Sequence, residues 1–208
     1  MSAVRCASVL KPLYAWVAGP TLRSQAHAAI VHSDDTATDA LIDAAGGLAS
    51  TLEEITHRTG VCWEAGETWG RVPVNGLSLT VAYTAMGFHR DPWTLAIRDL
   101  MTEVTPAQRF GVPAGVPVKA GWDLDEDTGE LLTHLVVLTG HRARAHVTHL
   151  PISARAQRTW RARLAAGGPE AVIGMHRTLA GDTCTPWSDR ISLRRPSSRQ
   201  IPPRWLGA

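Results

Sequence analysis

The sequence predicts an α+β fold in which a helical region, residues 12 to 108, packs on an antiparallel sheet within residues 109 to 166. Three observations carry this. Up to Pro106 the apolar residues recur at helical spacing between capping signals. Beyond it come three short β-branched runs, VPVKAGW, LLTHLVVLTG and RARAHVTHLPIS, parted by the turn signals Asp127-Thr128-Gly129 and Thr139-Gly140-His141. After Gly167-Gly168 the sequence turns Pro-, Arg- and Ser-rich without period, so 1 to 166 reads as one domain and 167 to 208 as a loosely ordered tail.

Taken in order, SVLKPLYAWV reads as a buried helix from Ser8 to about Val17, with Pro12 near its first turn, where a missing N–H costs least. TLRSQAHAAIVH reads as a second helix. It leads through the polar corner Ser33-Asp34-Asp35 into TATDALIDAAGG, where Asp34 or Asp35 caps the helix and Gly46-Gly47 closes it. LASTLEEITHRTG is helical, GVCWEAGETWGRVPVNG is a Gly- and Trp-rich loop, and LSLTVAYTAMG is helical again. Asp91-Pro92 opens a further helix that ends near Thr105-Pro106. Past the three strands, SARAQRTWRARLAAGG is an amphipathic helix suited to cover one sheet face, with Trp160 and Leu164 spaced i, i+4.

At 208 residues and 44% apolar composition the chain can bury a full core. A formal charge of +2 is too small to argue for nucleic acid, and the arginines of the tail read as solvation. Cys6, Cys62 and Cys184 lie far apart with no C-x-x-C spacing, so neither a metal cage nor a disulfide framework is expected. His141, His146 and His149 fall on or beside the last strand, where His146 and His149 point to opposite faces, which argues against a metal site. No cofactor is implied. Arg142 and Arg144 share a strand face and read as solvated, and the tryptophans, Trp16 and Trp93 among them, read as packing residues. There is no run of eighteen apolar residues, and the N-terminus lacks a secretory layout, so the sequence as written implies a cytoplasmic product.

Of the 21 basic residues only two, Lys11 and Lys119, are lysines. Arginine is locked in its charged form, whereas a lysine can be driven by its surroundings to give up a proton, which singles out these two for proton chemistry. Lys11 follows Ser8 by three positions, so on a helix the two share a face, and the helix N-terminus favours an anion developing at Ser8. A desolvated lysine could take the serine proton.

In chain order the sequence then presents Ser8-Val9-Leu10-Lys11, Ser33-Asp34-Asp35 at a helix-to-helix corner, and Lys119-Ala120-Gly121 on the first strand. This ordered set resembles the S-x-x-K, S-D-N and K-T-G motifs of the penicillin-recognising serine hydrolases, class A β-lactamases in particular. The likeness spans roughly residues 5 to 166 and extends to Trp63-Glu64, which resembles the Trp-Glu pair of the family's Ω-loop.

The resemblance implies an acyl-enzyme serine hydrolase acting on a β-lactam or a D-Ala-D-Ala-like amide, small-molecule or peptidoglycan-derived. It implies Ser8 as nucleophile, with Lys11, or Glu64 through water, as its base, and Ser33 as proton donor to the leaving nitrogen. Lys119 would supply positive potential, Glu64 would activate the deacylating water with Glu67 as fallback, and the backbone N–H groups of Ser8 and Trp122 would hold the oxyanion. Asp35, Ala120, Gly121 and Trp122 would line the substrate site.

Two positions depart from the family pattern. Asp35 stands where the family has Asn, which removes an amide donor and favours a charged Lys11, and Ala120 replaces the threonine of K-T-G. Only seven residues precede Ser8, so the family's N-terminal helix and strands are expected to be missing, or supplied by an upstream start that could also restore a secretory signal. These departures favour an alternative, a catalytically impaired relative serving as a ligand sensor or interaction domain.

Overall fold

The computed structural model describes residues 3–110, 112–124 and 130–151. The predicted helix over the sheet and the tail from 167 lie outside the described residues.

A short strand, β1 (Val4–Arg5), leads into a 3₁₀ turn at Ala7–Leu10 and then α1 (Lys11–Ala18). The sequence predicts one helix here; the structure divides it just ahead of Pro12, which takes the second position of α1, where no intrahelical N–H is needed. From Lys11 to Trp16 every side chain is buried, so α1 is the central helix. The next predicted helix is also subdivided: a 3₁₀ turn at Pro20–Leu22, α2 (Arg23–His27), and a π-helical turn at Ala28–His32 that ends in a left-handed Ser33. Asp34 accepts the N–H of Ala37 and caps α3 (Asp35–Ala44), and the Gly46-Gly47 pair then turns the chain into α4 (Leu48–Thr59).

Segment 61–75 is mostly loop, as its composition suggests. It also contains β2 (Pro73–Val74), which pairs antiparallel with β1, a ladder of two residues per strand that the sequence does not announce. Asn75 and Ser78 form a reciprocal capping box that starts α5 (Gly76–Phe88), and Asp91 caps α6 (Pro92–Thr102).

The sheet has the order β3-β4-β5, with β3 (Val118–Leu124), β4 (Glu130–Thr139) and β5 (Arg142–Pro151) all antiparallel. Helix α5 packs on β5 and β4 so closely that a Cβ at Gly87 would come within 2.4 Å of the His141 carbonyl oxygen. On β5, Arg142, Arg144 and His146 are exposed while Ala143 is buried, the alternation expected of a sheet with one covered face. Trp16 and Trp93 do pack α1 against α6. Their indole N–H groups are satisfied by Thr94 Oγ1 at 2.7 Å and the Ala15 carbonyl at 3.0 Å.

Candidate active site

The site forms where the 3₁₀ turn before α1, the corner before α3 and the outer edge of β3 meet. Each piece brings a constrained residue. Ala7, directly before Ser8, has φ +48°, and Ser33 has φ +60°. Non-glycine residues pay for such conformations, so the surrounding packing must hold both corners in place.

Gly121 sets the distance between turn and strand. A Cβ there would lie 2.6 Å from the Ser8 nitrogen and 2.9 Å from that of Val9, so any side chain would push the turn off the strand. The ladder register decides which β3 groups face the turn. Leu138 N–H bonds the carbonyl of Pro117 directly opposite, so Lys119, Gly121 and Asp123 hold the hydrogen-bonded pairs with β4. Ala120 and Trp122 therefore direct their N–H and C=O groups away from β4, to an edge that no other strand pairs among the described residues. The Ala120 methyl group is buried in the apolar core, so this residue meets the site through its backbone.

Lys11 side chain is fully buried and its Nζ donates to the Ser33 carbonyl and to Asp35 Oδ1, both at 2.6 Å. The ammonium also lies 4.7 Å from the centroid of the Trp69 ring. Burial lowers the Lys11 pKa, opposed by the hydrogen bond and charge of Asp35 and by the charges of Asp34 and Asp39. Lys119 is fully buried as well, and its Nζ reaches Ser33 Oγ at 3.0 Å and Gln108 Oε1 at 3.3 Å. Burial pushes Lys119 well below the usual lysine range; repulsion from Lys11 adds to this and Asp35 partly offsets it. The two lysine side chains thus meet at one residue, Lys11 at the Ser33 carbonyl and Lys119 at its hydroxyl.

Ser8 is half-buried with its backbone against Gly121. Among the described residues its hydroxyl makes no hydrogen bond to the lysines in this conformation. Glu64 is exposed in the 60–68 loop and forms no hydrogen bond or ion pair among the described residues; Glu67 pairs with Arg71 at 2.9 Å. The loop's neighbour Trp63 packs against the core instead, beside a groove of about 310 Å³ under α4 that includes Cys62 and Glu53 but none of Ser8, Lys11, Ser33 or Lys119.

Two contributors carry no motif signal. Trp69 covers Lys11, and its carbonyl accepts the Tyr14 hydroxyl at 2.8 Å and the Cys6 thiol at 3.0 Å, which ties the loop to α1. A tryptophan in a Gly-rich loop was the available hint. Gln108, almost wholly buried, bridges Lys119 and the His32 carbonyl. Among the described residues no group of three or more His, Cys, Asp or Glu is arranged to hold a metal ion, and no helix is long and apolar enough to cross a membrane.

No protein-family model matches the chain, and no curated protein matches it by sequence. Solved structures do. A β-lactamase from Streptosporangium roseum superposes with TM-score 0.57 at 15% identity, over 86% of this chain and 84% of that one. A class A β-lactamase from Bacteroides cellulosilyticus DSM 14838 gives TM-score 0.57 at 12% identity, over 82% and 81%. The reconstructed class A enzyme of the last common ancestor of Gram-negative bacteria gives 0.53 at 18%, over 83% and 85%. At these identities the likeness establishes architecture rather than activity. With its helices packed on an antiparallel sheet and these neighbours spanning most of its length, the chain has the class A β-lactamase fold.

Proposed function

We propose that the protein is a serine hydrolase that opens a β-lactam or a D-Ala-D-Ala-like amide through an acyl-enzyme on Ser8. The observation that carries this reading is the convergence of the chain's two lysines, both buried, on Ser33, with Ser8 held against Gly121 at the same strand edge. Rotation of the Ser8 hydroxyl toward Lys11 lets the amine take its proton as the oxygen attacks the acyl carbon. The carbonyl oxygen, as it gains charge, lies between the N–H groups of Ser8 and Trp122, each such donor worth about 3 kcal/mol. Ser33 passes a proton to the leaving nitrogen and recovers one through Lys119. Lys119 in its charged form also attracts a substrate carboxylate. Glu64 activates the water that releases the acyl group once the loop brings it over the ester.

The Lys11–Asp35 contact limits the rate. A carboxylate at 2.6 Å favours the ammonium, and only the neutral fraction of Lys11 can accept a proton. The same contact supports a second reading, a sensor that acylates slowly and holds its ligand. Incubation with a fluorescent penicillin separates the cases. Fast labelling and release indicate a β-lactamase, and a long-lived adduct indicates a peptidase or sensor. No covalent label on the full chain would reject the hydrolase reading.

A further inference from the structure

The side of Lys119 away from its strand neighbours is held by a residue that the motifs do not include. Gln108 ends the 3₁₀ turn Pro106–Gln108 between α6 and β3, and only 2% of its surface is exposed. Its Nε2 donates to the His32 carbonyl at 3.2 Å, and its Oε1 accepts from Lys119 Nζ at 3.3 Å. The orientation of the amide is fixed by chemistry: the His32 carbonyl can only accept, so the NH₂ faces it and the oxygen faces the lysine. His32 immediately precedes Ser33, the residue whose hydroxyl Lys119 also meets. Gln108 therefore ties the backbone of the Ser33 corner to the amine that serves it.

We propose that Gln108 is a positioning residue that aims the Lys119 amine at Ser33 Oγ; its purpose rests on the hydrolase reading above. A neutral amine has two N–H donors and one lone pair. With one N–H committed to Gln108 Oε1, the other N–H and the lone pair are left to face Ser33, so the amine can donate to Ser33 Oγ, as it does at 3.0 Å, or accept its proton. Glutamine suits this role because it accepts without charge. A carboxylate in its place would hold the amine protonated, and an apolar side chain would leave it free to rotate. The ionisable groups that act on Lys119 are Lys11 from α1 and Asp35 from α3, so a change at Gln108 adds to a field set by those two.

The chain's two lysines make the test direct, because lysine labelled with ¹³C gives only two side-chain signals in the full protein, assigned with Lys11→Met. In Gln108→Glu the Lys119 midpoint should rise by about one pH unit or more while Lys11 shows no rise, its repulsion by a more fully charged Lys119 acting in the opposite direction. The pH of half-maximal Ser8 acylation by a fluorescent penicillin should rise with it. Gln108→Leu should lose about tenfold in acylation without that upward shift. An unchanged Lys119 midpoint and acylation profile in Gln108→Glu would overturn the proposal. If the wild-type protein takes no penicillin, the hydrolase reading fails, and the Lys119 titration alone then decides whether Gln108 controls the amine: a rise confined to Lys119 upholds the contact, no rise rejects it.

Discussion

The Ser33 corner and the 60–68 loop are both expected to supply polar side chains to one reaction, and the fold treats them differently. At the corner, Asp34 caps α3, Lys11 holds the Ser33 carbonyl, Lys119 holds its hydroxyl, and Gln108 holds the carbonyl one residue earlier. In the loop, the partly buried Trp63 packs against the core while the adjacent Glu64 faces solvent. The contrast is that Lys11, Lys119 and Ser33, the groups proposed for acylation, are tied together by hydrogen bonds, whereas Glu64, the group proposed for deacylation, makes none among the described residues. Acylation and release should therefore respond separately to mutation.

The largest expected effect lies at the corner: Lys11→Met should slow labelling by a fluorescent penicillin about 10³-fold in stopped-flow measurements. On the loop side, Glu64→Gln should leave the labelling rate intact and slow release of the label about 10²-fold, while Glu67→Gln, whose carboxylate already pairs with Arg71, changes neither. Equal losses in labelling and release for Glu64→Gln would erase the distinction between the two regions.

Asp35→Asn sharpens the same comparison. Removing the carboxylate that props up the Lys11 pKa should increase the neutral fraction, and so raise the labelling rate near neutral pH by about tenfold. A fall in rate would mean that Asp35 serves the substrate rather than restraining the base.

Lys119 gives a stability prediction of smaller size. In the folded chain its pKa lies well below that of an unfolded lysine, so the folded state binds fewer protons between the two midpoints. Stability should accordingly climb as pH rises from the lowered value toward 10.5. Lys119→Met should flatten that climb in urea titrations, since it removes the group that titrates.

The smallest effect concerns the thiols. Burial pushes Cys6 up from 9.0 to about 12, more than its hydrogen bonds and Lys11 pull it down, whereas Cys62 is exposed. Native-state alkylation followed by peptide mass mapping should modify Cys62 and spare Cys6. Comparable labelling of both would show that the turn carrying Ser8 opens readily.

Much of the corner was legible because regular elements carry it. Ser8 and Lys11 lie three apart at a helix start, Ser33 precedes a capping aspartate, and Lys119 and Gly121 share one face of a strand; the motif resemblance joined these three pieces, and period placed only the members of each helix or strand relative to one another. The three sheet strands announced themselves by β-branching and turn residues. What stayed hidden depends on tertiary contact. The π-helical turn Ala28–His32, which sets the direction of Ser33, has no compositional mark, and the two-residue pairing of β1 with β2 is too short to leave a pattern. Gln108 is an ordinary glutamine until β3 and the end of the π turn close around it. The loop carboxylate is the least predictable of all, because no periodicity governs where Glu64 points.

The most direct measurement is a site-mapped adduct: incubate the full chain with a penicillin, digest it and locate the added mass by tandem mass spectrometry. The account predicts a single acyl group on Ser8, absent from Ser8→Ala and retained in Glu64→Gln. An adduct that persists in Ser8→Ala, or one that maps to Ser33 instead, would contradict it.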